Sequence, residues 1–234
     1  MIIIPDIHGS FRLLEFALGV AGDQPLLFLG DLIDRGHQNV EVIEGVKRLV
    51  VEGRAVLLMG NHEAMAMYAR WGDASDMRHW HKHGGHATWR EYERRFLSDA
   101  SSMLTRHLLW LKDQPEVFIQ GPLLASHAMP PQHDHDQIYT SKVGIHGHLW
   151  ERPMVHPLRF LPRGVEFSVH GHTPLPHPMK LTHQDGRVSY FIDLGGDIRP
   201  EKRFCVMDTE KREIIHMDGS VQPLSSVPEM QEAP

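Results

Sequence analysis

Ile2-Ile3-Ile4-Pro5-Asp6-Ile7-His8-Gly9 opens the chain, and Leu26-Leu27-Phe28-Leu29-Gly30-Asp31-Leu32-Ile33-Asp34-Arg35-Gly36 repeats its form: an apolar run that breaks into a turn rich in ionisable residues. Short apolar runs without polar alternation read as strands buried on both faces. Between the two runs Phe11, Leu14 and Leu18 recur at helical spacing, and Val40, Ile43, Val46 and Val50 do so before a third run at 55–59. The order β-α-β-α-β predicts a parallel sheet with right-handed crossovers.

Beyond this opening, residues 65–114 read as mostly helical with a break at Gly84-Gly85, a segment that would cap the sheet edge. Segments 123–126 and 166–169 are further short strands, and the His- and Pro-rich stretch between them reads as a loop for substrate selection. Segments 188–192, 204–207 and 213–216 are expected as closing antiparallel strands, with turns at Gly195-Gly196 and 208–211. Residues 1–217 form one expected domain, and 218–234, polar and containing Pro and Ser, an expected disordered tail.

Composition narrows the function classes. A chain of 234 residues with 41% hydrophobic and 23% charged residues is of ordinary globular make-up, which sets aside disorder and fibres. The formal charge of −6 and the absence of any dense Lys/Arg run argue against extended binding to a nucleic-acid backbone. The apolar N-terminus meets Pro5 and Asp6 at once, too soon for a signal peptide or membrane span, so a cytoplasmic protein with no membrane partner is expected. Cys205, the single cysteine, cannot form an internal disulfide. The 19 histidines are the unusual feature, since imidazole binds transition metals and titrates near neutrality.

Five apolar runs each give way to a ligand-type residue: Asp6 and His8, Asp31, Asn61 and His62, His127, and His172. In a parallel α/β sheet the strand C-termini share one edge, where such folds bind their ligands. Any one of these residues alone reads more simply as a turn residue. The combination is specific, because Asp-Ile-His-Gly, Gly-Asp-Leu-Ile-Asp-Arg-Gly and Gly-Asn-His-Glu come in order, one after each βα step.

Asp6-Ile7-His8-Gly9, Gly30-Asp31-Leu32-Ile33-Asp34-Arg35-Gly36, Gly60-Asn61-His62-Glu63, Ser126-His127-Ala128 and His170-Gly171-His172-Thr173-Pro174 together resemble the calcineurin-like metallophosphoesterases, in particular the phosphoprotein phosphatase branch with its bacterial and phage members, over roughly residues 1–210. The resemblance implies an α/β sandwich of two mixed β-sheets flanked by helices. It also implies two divalent metal ions, manganese first and iron or zinc as alternatives. Asp6, His8 and Asp31 would hold one ion, and Asp31, Asn61, His127 and His172 the other, with Asp31 bridging. A hydroxide generated between the ions would attack phosphorus. His62 would protonate the leaving oxygen, with Asp34 orienting its imidazole. Arg35, whose planar guanidinium suits phosphate oxygens, and Arg152, in a Trp150-Glu151-Arg152 stretch like that of bacterial members, would bind the substrate.

Two departures stand out. Pro5 occupies the place of a family glycine, which alters strand exit and leaves the ligands intact. Pro174 replaces the second His of the Gly-His-x-His ending found in more distant nucleases, which favours the phosphatase branch. Other histidines are read as bystanders: His79, His81, His83 and His86 lack a carboxylate or a strand end, and His146-Gly147-His148 mimics 170–172 without the preceding strand. His133-Asp134-His135-Asp136 is a candidate for substrate contact. The expected activity is hydrolysis of phosphomonoesters, on a phosphorylated protein or peptide or a small phosphoester, by a serine/threonine-type phosphatase with phosphotyrosine as a further candidate. The rivals are a dinucleoside polyphosphate hydrolase of the diadenosine tetraphosphate type and a catalytically silent metal-binding protein.

Overall fold

The computed structural model describes residues 1–130, 147–153, 161–196 and 203–230. The segment 133–136 and His146 lie outside the described residues. The expected βαβαβ opening is present: β1 (Ile2–Ile4), α1 (Phe11–Ala21), β2 (Leu26–Phe28), α2 (Asn39–Val51) and β3 (Ala55–Leu57), with β1, β2 and β3 parallel. The run of three isoleucines has a simple cause. Successive side chains of a strand point to opposite faces. Ile2 and Ile4 pack with Leu13, Leu14, Val42, Ile43 and Val46 of the covering helices, whereas Ile3 joins Leu27 and Leu58 against a second sheet. With both faces covered, every position is apolar, and each such side chain contributes about 1.5–3 kcal/mol of burial.

Helices α3 (Asn61–Trp71), α4 (Ala74–Trp80), α5 (His86–Phe96) and α6 (Ala100–Lys112) form the expected helical middle, and the glycine break is a π-helical turn, His81–Gly85, in which Gly84 has φ 113°. The second sheet contains β4 (Val117–Gln120), β5 (Leu123–Ser126), β6 (Phe167–His170), β7 (Met179–Thr182) and β8 (Val188–Phe191) in the order β4-β5-β6-β8-β7. Strand β8 was expected to run antiparallel, but it lies parallel to β6 and is antiparallel only to its hairpin partner β7. Because β5 and β6 are also parallel, the chain leaves both at the same end of the sheet. The short helix α7 (Gly147–Trp150) lies between β5 and β6 in sequence.

Strands β9 (Cys205–Asp208), β10 (Glu213–His216) and β11 (Val221–Pro223) complete the first sheet, whose order is β11-β10-β9-β1-β2-β3. Two mixed sheets with flanking helices are the predicted fold class. No helix among the described residues is long and apolar enough to cross a membrane.

The expected tail is structured as far as residue 230. Strand β11 pairs with β10, and the Lys180 amide donates to Pro228 O (2.9 Å) while the Met230 amide donates to Lys180 O (2.7 Å). Leu224 and Val227 enter the core between the sheets, and Met230 packs with Leu175 and Phe191. Its polar and Pro/Ser content conceals three apolar residues at intervals of three, enough to anchor the strap to both sheets. Deleting 218–234 should therefore lower the unfolding midpoint markedly, since three anchors at about 1.5–3 kcal/mol each are lost. An unchanged midpoint in thermal or urea unfolding would mean that the strap contributes nothing.

Candidate metal centre

The loops after β1 and β2 are zipped together before any side chain is considered. The amides of Ile7 and His8 both donate to Asp31 O (3.1 and 2.9 Å), and that of Gly9 donates to Leu32 O (2.7 Å). Glu63, completely buried in the first turn of α3, holds the same turn from the other side: its carboxylate accepts the amides of Asp31 (2.8 Å), Leu32 (2.8 Å) and Gly60 (3.0 Å). Burial raises the Glu63 pKa to about 7 against the pull of those donors. A glutamate three residues after a helix N-cap is a known capping signature, which is the signal in the motif that marks Glu63.

These constraints hold unusual backbone. Seven non-glycine residues among the described ones have φ in the left-handed region, and five belong to the predicted site: His8 (48°), Asp31 (51°), Asp34 (74°), Arg35 (66°) and His172 (63°). Such conformations cost about 1–3 kcal/mol each and persist where the surroundings over-determine them. Packing around the carboxylates is equally tight. A Cβ on Gly60 would lie 2.2 Å from Asp31 Oδ1, and one on Gly171 would lie 2.4 Å from Asp6 Oδ1.

Residues from both sheets meet here. Asp31 Oδ1 is 3.5 Å from His127 Nε2, and Asp31 Oδ2 is 3.7 Å from His8 Nε2 and 3.9 Å from His62 Nε2. Asp6 Oδ2 is 3.9 Å from the same His8 nitrogen, while Asp6 Oδ1 accepts the His172 amide at 3.0 Å. Two groups of donor atoms are close enough together to hold a metal ion, His8 with Asp31 and His62, and Asp31 with His127 and His172; Asp31 is in both.

The hydrogen bonds behind the imidazoles decide what their front nitrogens can do. His8 Nδ1 lies 2.9 Å from Ile33 O, His127 Nδ1 2.9 Å from Leu29 O and His172 Nε2 3.2 Å from Trp150 O. A carbonyl only accepts, so each of these nitrogens carries the proton and the other presents a lone pair to the site. His127 Nε2 and His172 Nδ1 therefore aim lone pairs at Asn61 Oδ1, itself an acceptor, from 2.8 and 2.9 Å. Three acceptors in van der Waals contact repel one another unless a cation sits among them. The donor set thus fits a divalent ion with oxygen and imidazole ligands.

Charge points the same way. Burial raises the pKa of Asp6 well above the carboxylate range, helped by repulsion from Asp193, and raises that of Asp31, helped by Asp6 and Glu63. Burial lowers the pKa of His8, His62 and His127, and with the charge of Arg152 it lowers His172 to about 4. Arg152 is exposed, two residues beyond Trp150, whose carbonyl accepts His172 Nε2–H. The charge of Arg35 acts on both carboxylates, and its Nη1 donates to His8 Nε2 (2.9 Å) and Nη2 to His62 Nε2 (3.0 Å). Instead of facing outward, its guanidinium lies against the imidazoles beside the paired acids. His62 Nδ1–H donates to Asp34 Oδ2 (2.8 Å), the predicted orienting contact.

The other histidines are placed elsewhere. His148 pairs with Glu116 at 2.6 Å, whereas His172 reaches Asn61. His83 Nδ1 bonds to His79 O and His86 Nδ1 to His81 O, and none of the four joins a group of three candidate ligands among the described residues. From the sequence, Thr88 falls only in a stretch that resembles a non-ligand segment of bacterial members, and Trp80, Asn39 and Glu91 are not marked at all; in the structure Trp80 and Thr88 bind Asp34, and Asn39 and Glu91 brace its turn.

The profile of the calcineurin-like phosphoesterases matches residues 1–176. A serine/threonine-protein phosphatase 1 of Salmonella typhimurium is 30% identical over 199 residues, covering 82% of this chain and 85% of its own. An asymmetrical bis(5'-nucleosyl)-tetraphosphatase of Anoxybacillus flavithermus is 44% identical over 72 residues, but this is only 26% of this chain and 29% of its own. Among solved structures, a metallophosphoesterase from Sphaerobacter thermophilus superposes with a TM-score of 0.55 at 20% identity, covering 92% of this chain and 86% of that one. A profile matching most of the chain, together with a phosphatase relative 30% identical along most of both chains, makes the chain a member of the calcineurin-like phosphoesterase family and a phosphoric ester hydrolase.

Proposed function

We propose that this protein is a two-metal phosphomonoesterase acting on phosphorylated serine and threonine in proteins or peptides. The observation that carries the reading is the convergence of Asn61, His127 and His172 acceptors beside Asp31, whose other oxygen faces His8. In this reading Asp6, His8 and Asp31 hold one divalent ion, and Asp31, Asn61, His127 and His172 the second. Manganese is the expected occupant, as the family resemblance implies, with iron or zinc as alternatives that the same oxygen and imidazole donors would suit. When bound, the pair supplies Lewis acidity and the means to ionise water near neutral pH.

The chain's own groups do the rest. Arg35 and Arg152 grip the phosphoryl oxygens, and a phosphate dianion draws the Arg35 guanidinium off His8 and His62. That releases His62 Nε2, and the same negative charge favours a proton on it. His62 Nε2–H then donates to the leaving oxygen while Nδ1–H stays on Asp34 Oδ2, which balances the imidazolium charge. Overall identity to the Salmonella phosphatase along most of both chains supports the phosphoprotein substrate. Identity to the tetraphosphatase is confined to 72 residues.

Replacing His62 by Asn should lower kcat on a phosphoserine peptide by about 10²- to 10⁴-fold with bound manganese unchanged. The loss should be much smaller on p-nitrophenyl phosphate, whose leaving oxygen needs no proton; equal losses on both would remove His62 as the acid. The substrate class is checked by comparing kcat/KM for phosphoserine and phosphothreonine peptides with that for diadenosine tetraphosphate. The peptides should be favoured, and an advantage for the dinucleotide would overturn the phosphoprotein reading while sparing the metal centre.

A further inference from the structure

The Asp34 carboxylate has no exposed surface and is surrounded by donors. Its Oδ2 accepts His62 Nδ1–H (2.8 Å) and the indole Nε1–H of Trp80 (2.9 Å). Its Oδ1 accepts Thr88 Oγ1–H (2.7 Å) and a longer branch of the same indole N–H (3.1 Å). Trp80 ends α4 and Thr88 lies in the first turn of α5, so the π-helical turn between them folds the chain back to bring both onto one carboxylate. Both side chains are buried.

The same excursion braces the backbone beneath. Thr88 Oγ1 accepts the Asp34 amide (3.0 Å), Gly84 O accepts the Arg35 amide (3.2 Å), and Glu91 accepts the amides of Asn39 (2.6 Å) and Val40 (3.0 Å). Asn39 Oδ1 in turn accepts the Asp34 amide at 2.7 Å. These contacts surround Asp34 and Arg35, two of the residues in left-handed backbone.

Donor chemistry gives the arrangement its meaning. Indole N–H donates and never accepts, so it can only serve an acceptor oxygen. Thr88 gives its one hydroxyl proton to Oδ1 while accepting the Asp34 amide, so its rotor is committed. We infer that Trp80 and Thr88 are positioning residues: they lock Asp34 as a pure acceptor in one orientation, and through it aim His62 Nε2 at the leaving oxygen. The inference rests on the reading of His62 as the proton donor.

The test uses Trp80→Phe, Thr88→Val and Thr88→Ser in the manganese-loaded full chain, alongside His62→Asn, with a phosphoserine peptide and p-nitrophenyl phosphate as substrates. Trp80→Phe and Thr88→Val should each lower kcat on the phosphopeptide about 10- to 100-fold, the usual effect of removing a supporting partner, with KM and manganese content near the parent's. The loss should be several-fold smaller on p-nitrophenyl phosphate. Thr88→Ser, which keeps the hydroxyl, should recover most of the Thr88→Val loss, and Thr88→Val should cost little more when added to His62→Asn. If Trp80→Phe fails to fold, the Thr88 series decides alone. Equal losses on both substrates, a Thr88→Ser as poor as Thr88→Val, or full additivity with His62→Asn would overturn the inference. If His62→Asn is itself insensitive to the leaving group, the proton-donor reading falls first; if only His62→Asn is sensitive, the inference alone falls.

Discussion

Asp31 is held where the ends of two sheets meet. Its amide is fixed by Glu63, its carbonyl by Ile7 and His8, and its buried side chain faces imidazoles from strand ends in both sheets. An ionised carboxylate in such a place is costly unless positive charge compensates it, and Asp6 beside it deepens the cost. Among the described residues no lysine is buried, and what faces the carboxylates is imidazoles and the Arg35 guanidinium. Cations brought from outside, of the kind the proposed function requires, would meet that electrostatic demand.

The same constraint explains why rigidity is concentrated in this part of the fold. Left-handed backbone at His8, Asp31, Asp34, Arg35 and His172 turns each chain segment sharply at its strand end, where the side chain must face inward. Glu63 and the excursion carrying Trp80, Thr88 and Glu91 supply the hydrogen bonds that hold the turns at Asp31, Asp34 and Arg35. The C-terminal strap joins the two sheets elsewhere, pairing with β10 of one and hydrogen-bonding Lys180 in β7 of the other.

What could be read from the sequence was what is local. The run Ile2-Ile3-Ile4 declares a strand covered on both faces, and the following Asp6 and His8 declare what its end presents. By contrast β4, β7 and β11 are only three or four residues long, largely uncovered and mixed in polarity, too short for their pattern to stand out from the surrounding loops. The tail misled because Leu224, Val227 and Met230 find partners only in three dimensions. Trp80 and Thr88 escaped for the same reason: their bonds to Asp34 span 46 and 54 residues, and a buried tryptophan in a helix reads first as core. The parallel placement of β8 depends on β7, a strand that the sequence pattern did not reveal.

The proposed function requires that two cations share Asp31. Anomalous diffraction from crystals grown with manganese, collected on either side of the metal's absorption edge, tests it directly. Two peaks about 3.5–4 Å apart are expected, with the Asp31 carboxylate between them, one beside Asp6 and His8 and the other beside Asn61, His127 and His172. A single peak, or manganese only among the histidines of the 79–86 segment, would contradict it.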